Sequence, residues 1–282
     1  MAAQSPPLIT IITSTFNAEG DFSFTAASIR NQKYKNIQWI VIDGGSTDST
    51  VDLIRKNEDI IDYWLSEPDS GIYDAWNKAC RHIRGEWVQF LGAGDEYPSH
   101  DTLDQVAPYL IGARNYEIVY GRLQYITEYS REVIEEVGKP WSEIKGKWEI
   151  FRPVLPLHPE VFHHSSLFTQ EMPFDIKYKF AGDNHFLLKS ILRKDPLYIP
   201  VVIDRMALGG VSSSPRKAYL RAKEIFRINQ ELGIKPPFIH KMKEYIKLYT
   251  IVVVVNAFGE KGFFWVADLY RICLGKSRRW TL

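Results

Sequence analysis

For its first hundred residues the chain alternates between two hydrophobic periods. Leu8-Ile9-Thr10-Ile11-Ile12 is a short β-branched run that suits a strand buried on both faces. It stops at Ser14-Thr15-Phe16-Asn17, and a helix is predicted over 21–31. Residues 37–42 read as a second strand. It ends in the turn cluster Asp43-Gly44-Gly45-Ser46-Thr47-Asp48, whose last residues suit the cap of a helix over 49–56. A weaker strand over 60–65, a helix over 72–83 and a strand over 86–91 complete a βαβαβαβ pattern. Such alternation predicts a doubly wound parallel sheet with helices on both faces. Ligands of these sheets bind beyond the carboxyl ends of the strands. Three polar clusters fall there: residues 14–17, 43–48 and 92–95.

Beyond residue 100 the pattern is less regular. Helices are expected over 103–112 and 182–193, and strands over 118–126, 133–136, 167–169 and 197–203. From Pro215 onward the period is helical, interrupted at Pro236-Pro237. The expected division is one α/β domain over 1–214, regular over about 7–100 and less so over about 101–214, followed by a helical extension over 215–282. Within the extension, 238–254 and 263–274 are amphipathic, and their longest apolar run, 251–255, is too short to span a bilayer. Two readings stand side by side. One is packing against the α/β domain or another subunit as a homo-oligomer. The other is peripheral docking on a membrane, with Lys276, Arg278, Arg279 and Trp280 at anionic head groups.

Composition narrows the functional classes. Hydrophobic residues make up 45% of 282, enough for a full core, and the net charge of +1 gives no signal for nucleic acid. Two distant cysteines, Cys80 and Cys273, build neither a disulfide framework nor a cysteine-based zinc site. Residues 1–7 have no basic or apolar region of a signal peptide. A cytoplasmic location follows as the expectation, extending to the cytoplasmic face of the inner membrane if the extension docks there. The first strand lacks the Gly-x-Gly-x-x-Gly turn of dinucleotide-binding domains, and no Gly-Lys-Ser/Thr loop of an NTPase is present.

Several motifs carry candidate chemistry. Asp69, Asp74 and Lys78 surround a helix start, where free N–H groups suit an anion, although capping and pairing of Asp74 with Lys78 explain them too. In Gly92-Ala93-Gly94-Asp95 the small residues allow close approach of a ligand, and the carboxylate can hold a hard cation that bridges phosphates. Asp183, in Ala181-Gly182-Asp183-Asn184, suits either a helix cap or a general base. His158, His163 and His164 match no helix-borne metal pair.

In this order and spacing, these segments resemble the family 2 glycosyltransferases, inverting enzymes of the GT-A fold, and especially the bacterial branch that builds cell-surface polysaccharides. The resemblance covers about 7–213 and is carried by 11–17, 41–48, 67–78, 90–95 and 180–183. It implies a mixed α/β sheet flanked by helices, a catalytic domain over 1–214 with a donor half over about 7–100 and an acceptor half over about 101–214, and transfer from a nucleoside-diphosphate sugar, a UDP-sugar first, to a saccharide or lipid-linked saccharide. By the same resemblance Thr15, Phe16 and Asn17 sit by the nucleotide, Asp43 lies in the base-reading segment, and Asp69, Lys78 and Gly94 line the donor pocket. Asp95 is the metal ligand for Mn²⁺ or Mg²⁺, and Asp183 the catalytic base. His158, Gly210 and Ser212 belong to acceptor-side and lid elements. Gly44 stands where the family usually has a second acid, and Gly92, Ala93 and Gly94 replace the earlier positions of its Asp-x-Asp-like motif. Two alternatives are a sugar-nucleotide nucleotidyltransferase, whose basic loop after the first strand is missing here, and a non-catalytic nucleotide-sugar-binding protein.

Overall fold

A computed structural model describes residues 5–208, 214–275 and 278–281. In chain order its strands are β1 (Ile9–Thr15), β2 (Ile37–Asp43), β3 (Tyr63–Ser66), β4 (Trp87–Phe90), β5 (Ile118–Ile126), β6 (Val133–Val137), β7 (Trp148–Glu149), β8 (Arg152–Pro153), β9 (Val161–His164) and β10 (Leu197–Ala207). The helices are α1 (Phe22–Arg30), α2 (Thr50–Lys56), α3 (Ile72–Cys80), α4 (Thr102–Gly112), α5 (Trp141–Ile144), α6 (Gly182–Ile191), α7 (Ala218–Glu231) and α8 (Phe238–Cys273).

The main sheet runs β10-β5-β9-β4-β1-β2-β3, with β6 also paired to β5. Strands β3, β2, β1 and β4 are mutually parallel, as βαβ crossovers require. Strand β9 then runs antiparallel to both β4 and β5, so the sheet is mixed rather than wholly parallel. The expected strand over 167–169 is instead a 3₁₀ turn, Ser165–Phe168, and the strand lies just before it as Val-Phe-His-His. Two consecutive histidines in its second half leave it no apolar alternation to read.

The chain packs as two compact units, Met1–Gln124 with Val137–Glu143 and Pro156–Met206, and Tyr125–Glu136 with Ile144–Leu155 and Ala207–Leu282. In the first, one sheet face places Ile9, Ile11, Trp39, Val41, Val119 and Phe162 against α1, α2 and α4, which contribute Phe22, Ile54 and Leu103. Phe22 stacks on Trp39 at 5.7 Å, and the Trp39 indole N–H donates to Thr13 Oγ1 at 3.0 Å. Two buried polar side chains of β1 and β2 pair with each other. Thr10 Oγ1 donates to Gln38 Oε1 at 2.7 Å and accepts from the Gly85 N–H at 2.9 Å. Helix α3 covers the other face of β1 and β2.

In the second unit, Phe151 packs against Phe226 and Tyr245, and Asn229 donates to the Phe151 carbonyl at 2.8 Å. Asp268, nearly fully buried, accepts from the backbone N–H groups of Arg279, Trp280 and Thr281 and so ties the C-terminal segment to α8. Helix α8 joins the two expected amphipathic stretches, with Gly259 breaking helical geometry at φ 70°. By length and composition it is long and apolar enough to cross a membrane, which the short apolar run did not suggest.

Gly121 tests the packing of β5 against β10, since a Cβ there would meet the Val201 carbonyl at 2.4 Å. Gly121→Ala is expected to cost about 2 kcal/mol, lowering the melting temperature by roughly 5 °C in a calorimetric scan.

Candidate active site

The parallel strands end in loops that hold one another. Asp43 closes β2 wholly buried. Its Oδ1 accepts from Thr15 Oγ1 at 2.8 Å and Ser46 Oγ at 2.5 Å. Its Oδ2 accepts from the N–H groups of Gly45 and Ser46 at 3.1 and 2.9 Å and from Ser66 Oγ at 2.7 Å. Burial pushes the carboxyl pKa up, but the hydrogen bonds from Ser46, Ser66 and Thr15 outweigh it and hold the group below its usual value. A carboxylate offers about four acceptor positions, and the loop together with Thr15 of β1 and Ser66 of β3 takes them here. Asn17, at φ 48°, adds a second tie: its N–H donates to Ser46 Oγ at 2.8 Å and its Oδ1 accepts from the Thr47 N–H at 2.9 Å. Asn is among the few residues that tolerate this backbone region. Between these ties, Phe16 projects an aromatic ring that is 66% exposed.

Asp69 lies beside the same loop. Its Oδ1 accepts from the Gly71 N–H at 2.8 Å, while a Cβ on Gly44 would come within 2.7 Å of its Oδ2. The carboxylate thus occupies space that a side chain at position 44 would fill. Lys78, from α3, pairs with Glu67 at 2.8 Å and donates to the Pro68 carbonyl at 3.2 Å, anchoring the loop that carries Asp69.

Beyond β4, Thr25 of α1 fastens the small-residue turn. Its Oγ1 accepts from the Gly94 N–H at 2.9 Å and approaches the Asp95 carbonyl at 2.7 Å. Asp95 is 8% exposed, and its Oδ2 accepts from the Gly92 N–H at 3.1 Å. A Cβ on Gly92 would stand 2.6 Å from that oxygen, so the carboxylate occupies the volume that the glycine leaves. Among the described residues no group of three or more His, Cys, Asp or Glu side chains could hold a metal ion. A lone carboxylate can serve a hard cation that takes its remaining ligands from phosphate and water.

Asp183 opens α6, and its Oδ1 accepts from Tyr73 Oη and from Asn184 Nδ2, each at 3.0 Å. Tyr73 comes from α3, so one helix braces both the Asp69 loop and Asp183. A Cβ on Gly182 would stand 2.8 Å from the Tyr73 ring, which explains the glycine. His158 is buried and stacks on Trp76 at 4.8 Å. Burial lowers its pKa to about 4, opposed by the charge of Asp183, so it is neutral at physiological pH. It lies within an aromatic cluster with Phe90, His163 and Phe174. Gly210 and Ser212 lie outside the described residues.

Three residues in this region escaped the sequence reading. Tyr73 sits in a motif already singled out, but only the fold brings it to Asp183. Asp204 and Glu160 are buried acids that no periodicity marks. Burial raises Asp204 well above the usual carboxyl value, helped by the charges of Asp95, Glu160 and Glu96. Burial likewise raises Glu160, to about 8, against a hydrogen bond from the Leu157 N–H.

These loops gather at the carboxyl ends of the parallel strands of a mixed α/β sheet. A family model described as Glycosyl transferase family 2 matches residues 10–168. An uncharacterized glycosyltransferase of Mycobacterium tuberculosis is 32% identical over 211 residues, 74% of this chain and 78% of that protein. A PGL/p-HBAD biosynthesis glycosyltransferase of Mycobacterium bovis is 26% identical over 191 residues, 65% of this chain and 69% of that one. Among solved structures, S. aureus TarS 1–349 in complex with UDP-GlcNAc aligns with a TM-score of 0.61 at 18% identity, over 93% of this chain and 77% of that one. The mannosyltransferase PcManGT of Pyrobaculum calidifontis, in complex with GDP-Man and Mn²⁺, aligns at 0.58 and 19% identity, over 96% and 81%. The chain belongs to glycosyl transferase family 2. It is therefore a glycosyltransferase, and its fold is GT-A, a mixed sheet flanked by helices with a C-terminal helical extension.

The raised pKa of Glu160 generates a pH prediction. A group whose folded pKa lies above its unfolded value stabilises the fold fully below the unfolded value, near 4.5, and loses that contribution as pH rises through about 8. Glu160→Gln, neutral throughout, is expected to shrink the fall in melting temperature between about pH 5 and about pH 8.5. An undiminished fall in the variant would show that Glu160 keeps its charge in the fold.

Proposed function

We propose that the chain transfers a sugar from a nucleoside-diphosphate sugar, a UDP-sugar first, to a hydroxyl of a saccharide or lipid-linked saccharide acceptor. The transfer inverts the anomeric carbon and serves assembly of a bacterial cell-surface polysaccharide. The observation that carries this reading is the Asp183 carboxylate. Tyr73 and Asn184 both donate to Oδ1, fixing the rotation of the group. Oδ2 is left to take a proton, and a sugar hydroxyl needs proton removal as its oxygen attacks. The acceptor oxygen bonds to the anomeric carbon as the bond to the diphosphate breaks, and the proton moves to Asp183. One displacement from the opposite face gives inversion.

The donor side rests on the loops at the ends of β1, β2 and β4. Phe16 offers an exposed ring to a base, Asn17 and Thr15 hold that turn, and Asp69 with Lys78 lines the pocket. Asp43 acts by holding the segment together. Gly94 and Asp95 adjoin the diphosphate. When bound at Asp95, a divalent cation, Mn²⁺ or Mg²⁺, supplies positive charge that stabilises the leaving diphosphate. PcManGT, solved with GDP-Man and Mn²⁺, and TarS, solved with UDP-GlcNAc, support a nucleotide-sugar donor and a metal in this fold. His158, neutral and buried among aromatic rings, acts on the acceptor side by packing, and Gly210 and Ser212 serve the lid. The reaction belongs to the cytoplasm, in keeping with two free cysteines, one buried and one exposed. The C-terminal helices offer a surface for peripheral membrane contact or a homo-oligomer.

The test combines melting and turnover. A nucleoside diphosphate at a hundred times its Kd adds about 2.7 kcal/mol, a rise of roughly 5–10 °C for a domain of this size. Of UDP, GDP, dTDP and CMP, each with and without Mn²⁺, UDP with Mn²⁺ is expected to give the largest rise. Asp183→Asn is expected to keep that rise and lose transfer by about 10³-fold or more. Near-wild-type turnover in Asp183→Asn would remove the base from Asp183. Tyr73→Phe, which keeps the ring and drops the hydroxyl, is expected to lower kcat about tenfold with the nucleotide-dependent rise unchanged.

A further inference from the structure

Helix α8 has two sides of different character. One packs within its own unit, where Tyr245 stacks on Phe226, Val255 is buried and His240 hydrogen-bonds to the Trp148 carbonyl at 2.5 Å. The other carries Phe238, Ile239, Met242, Ile246, Tyr249 and Val253, exposed by 76, 71, 44, 63, 71 and 45%. At 3.6 residues per turn these six fall within an arc of about 100°. Lys241 lies about 60° beyond one edge of the arc and Lys243 about 40° beyond the other, with Lys247 next to it. An exposed apolar stripe of this length marks a surface that something covers.

Charge says what covers it. Residues 235–282 carry nine Lys and Arg against three Asp and Glu, while residues 1–234 carry 26 against 31. The basic charge of the whole chain is concentrated around this helix. A second copy would bring two such segments face to face, with like charges along both borders of the stripe. An anionic surface accepts the same lysines favourably, and their long stems let the ammonium groups reach head groups while the stripe enters the acyl boundary. Tyrosine on the stripe suits that boundary as well. Although α8 is long and apolar enough to cross a membrane, its charges and its break favour lying in the plane. The longest stretch without Asp, Glu, Lys or Arg is 248–259, 12 residues. That covers about 18 Å of a hydrocarbon core about 30 Å thick. Gly259 breaks the helix there, and Glu260 and Lys261 follow.

We propose that this face of α8 docks in the plane of an anionic lipid bilayer. The docking stands apart from the transferase reading, because binding to lipid requires neither donor nor acceptor.

Sedimentation of the full chain with vesicles tests it. With about 30% phosphatidylglycerol in phosphatidylcholine, the bound fraction is expected to exceed that on pure phosphatidylcholine several-fold and to fall in about 0.5 M salt. The double variant Ile246→Asp, Tyr249→Asp changes only exposed positions. It is expected to melt as the wild type does and to lose binding at least about tenfold. Lys243→Glu with Lys247→Glu keeps the apolar stripe and is expected to weaken binding to anionic vesicles by about tenfold or more. Three results overturn the proposal: no sedimentation with anionic vesicles, binding that survives both double variants, or light scattering in which the Ile246→Asp, Tyr249→Asp variant dissolves a dimer. Resistance of bound protein to alkaline carbonate overturns the in-plane geometry in favour of a span.

Discussion

The carboxylate of Asp43 must satisfy the ends of three adjacent strands at once. Thr15 reaches it from β1, Ser66 from β3, and its own loop supplies two N–H groups and the Ser46 hydroxyl. Parallel strands bring such ends together because each crossover returns the chain to the same edge. A buried charge there is costly unless every acceptor position is used. Here the hydrogen bonds more than offset the burial, and the loop that results is braced rather than mobile. The positions of Phe16, Asn17, Gly44 and Asp69 follow from that brace, and with them the form of the donor edge.

The opposite half of the site is organised by rings instead of charge. Trp76, Phe90, His158, His163 and Phe174 make a packed layer in which two histidines stay neutral because burial disfavours their charged forms. Tyr73 belongs to this layer through Trp76 and Phe174 and points its hydroxyl at Asp183. An aromatic floor holds the tyrosine, and the tyrosine holds the carboxylate.

Much of this could be read along the chain, for a physical reason. Strands β1, β2 and β4 are buried on both faces and so read as unbroken apolar runs, while their loops read as clusters of Gly, Ser and Asp. Strand β5 was placed at its observed bounds, 118–126. Where pattern failed, the residues had no pattern to show. Strand β9 is half histidine, and the apolar residues just after it form a 3₁₀ turn. Asp204 and Glu160 sit among buried residues that tertiary contacts alone select. The two helical stretches legible over 238–254 and 263–274 lie on either side of the break at Gly259 within α8. The bond from Tyr73 to Asp183 joins residues 110 apart, a distance no local period encodes.

Gly44 and Asp69 share one small volume: the glycine's missing side chain is where the Asp69 carboxylate stands. Position 44 is then not free to vary alone. A lineage that acquired an acid at 44 would first need a smaller or displaced residue at 69, since the intermediate with both would press two carboxylates together. Substitution history at these sites should be ordered, with 69 moving before 44. The present pair marks one of two mutually exclusive ways of presenting a negative charge at this edge of the sheet.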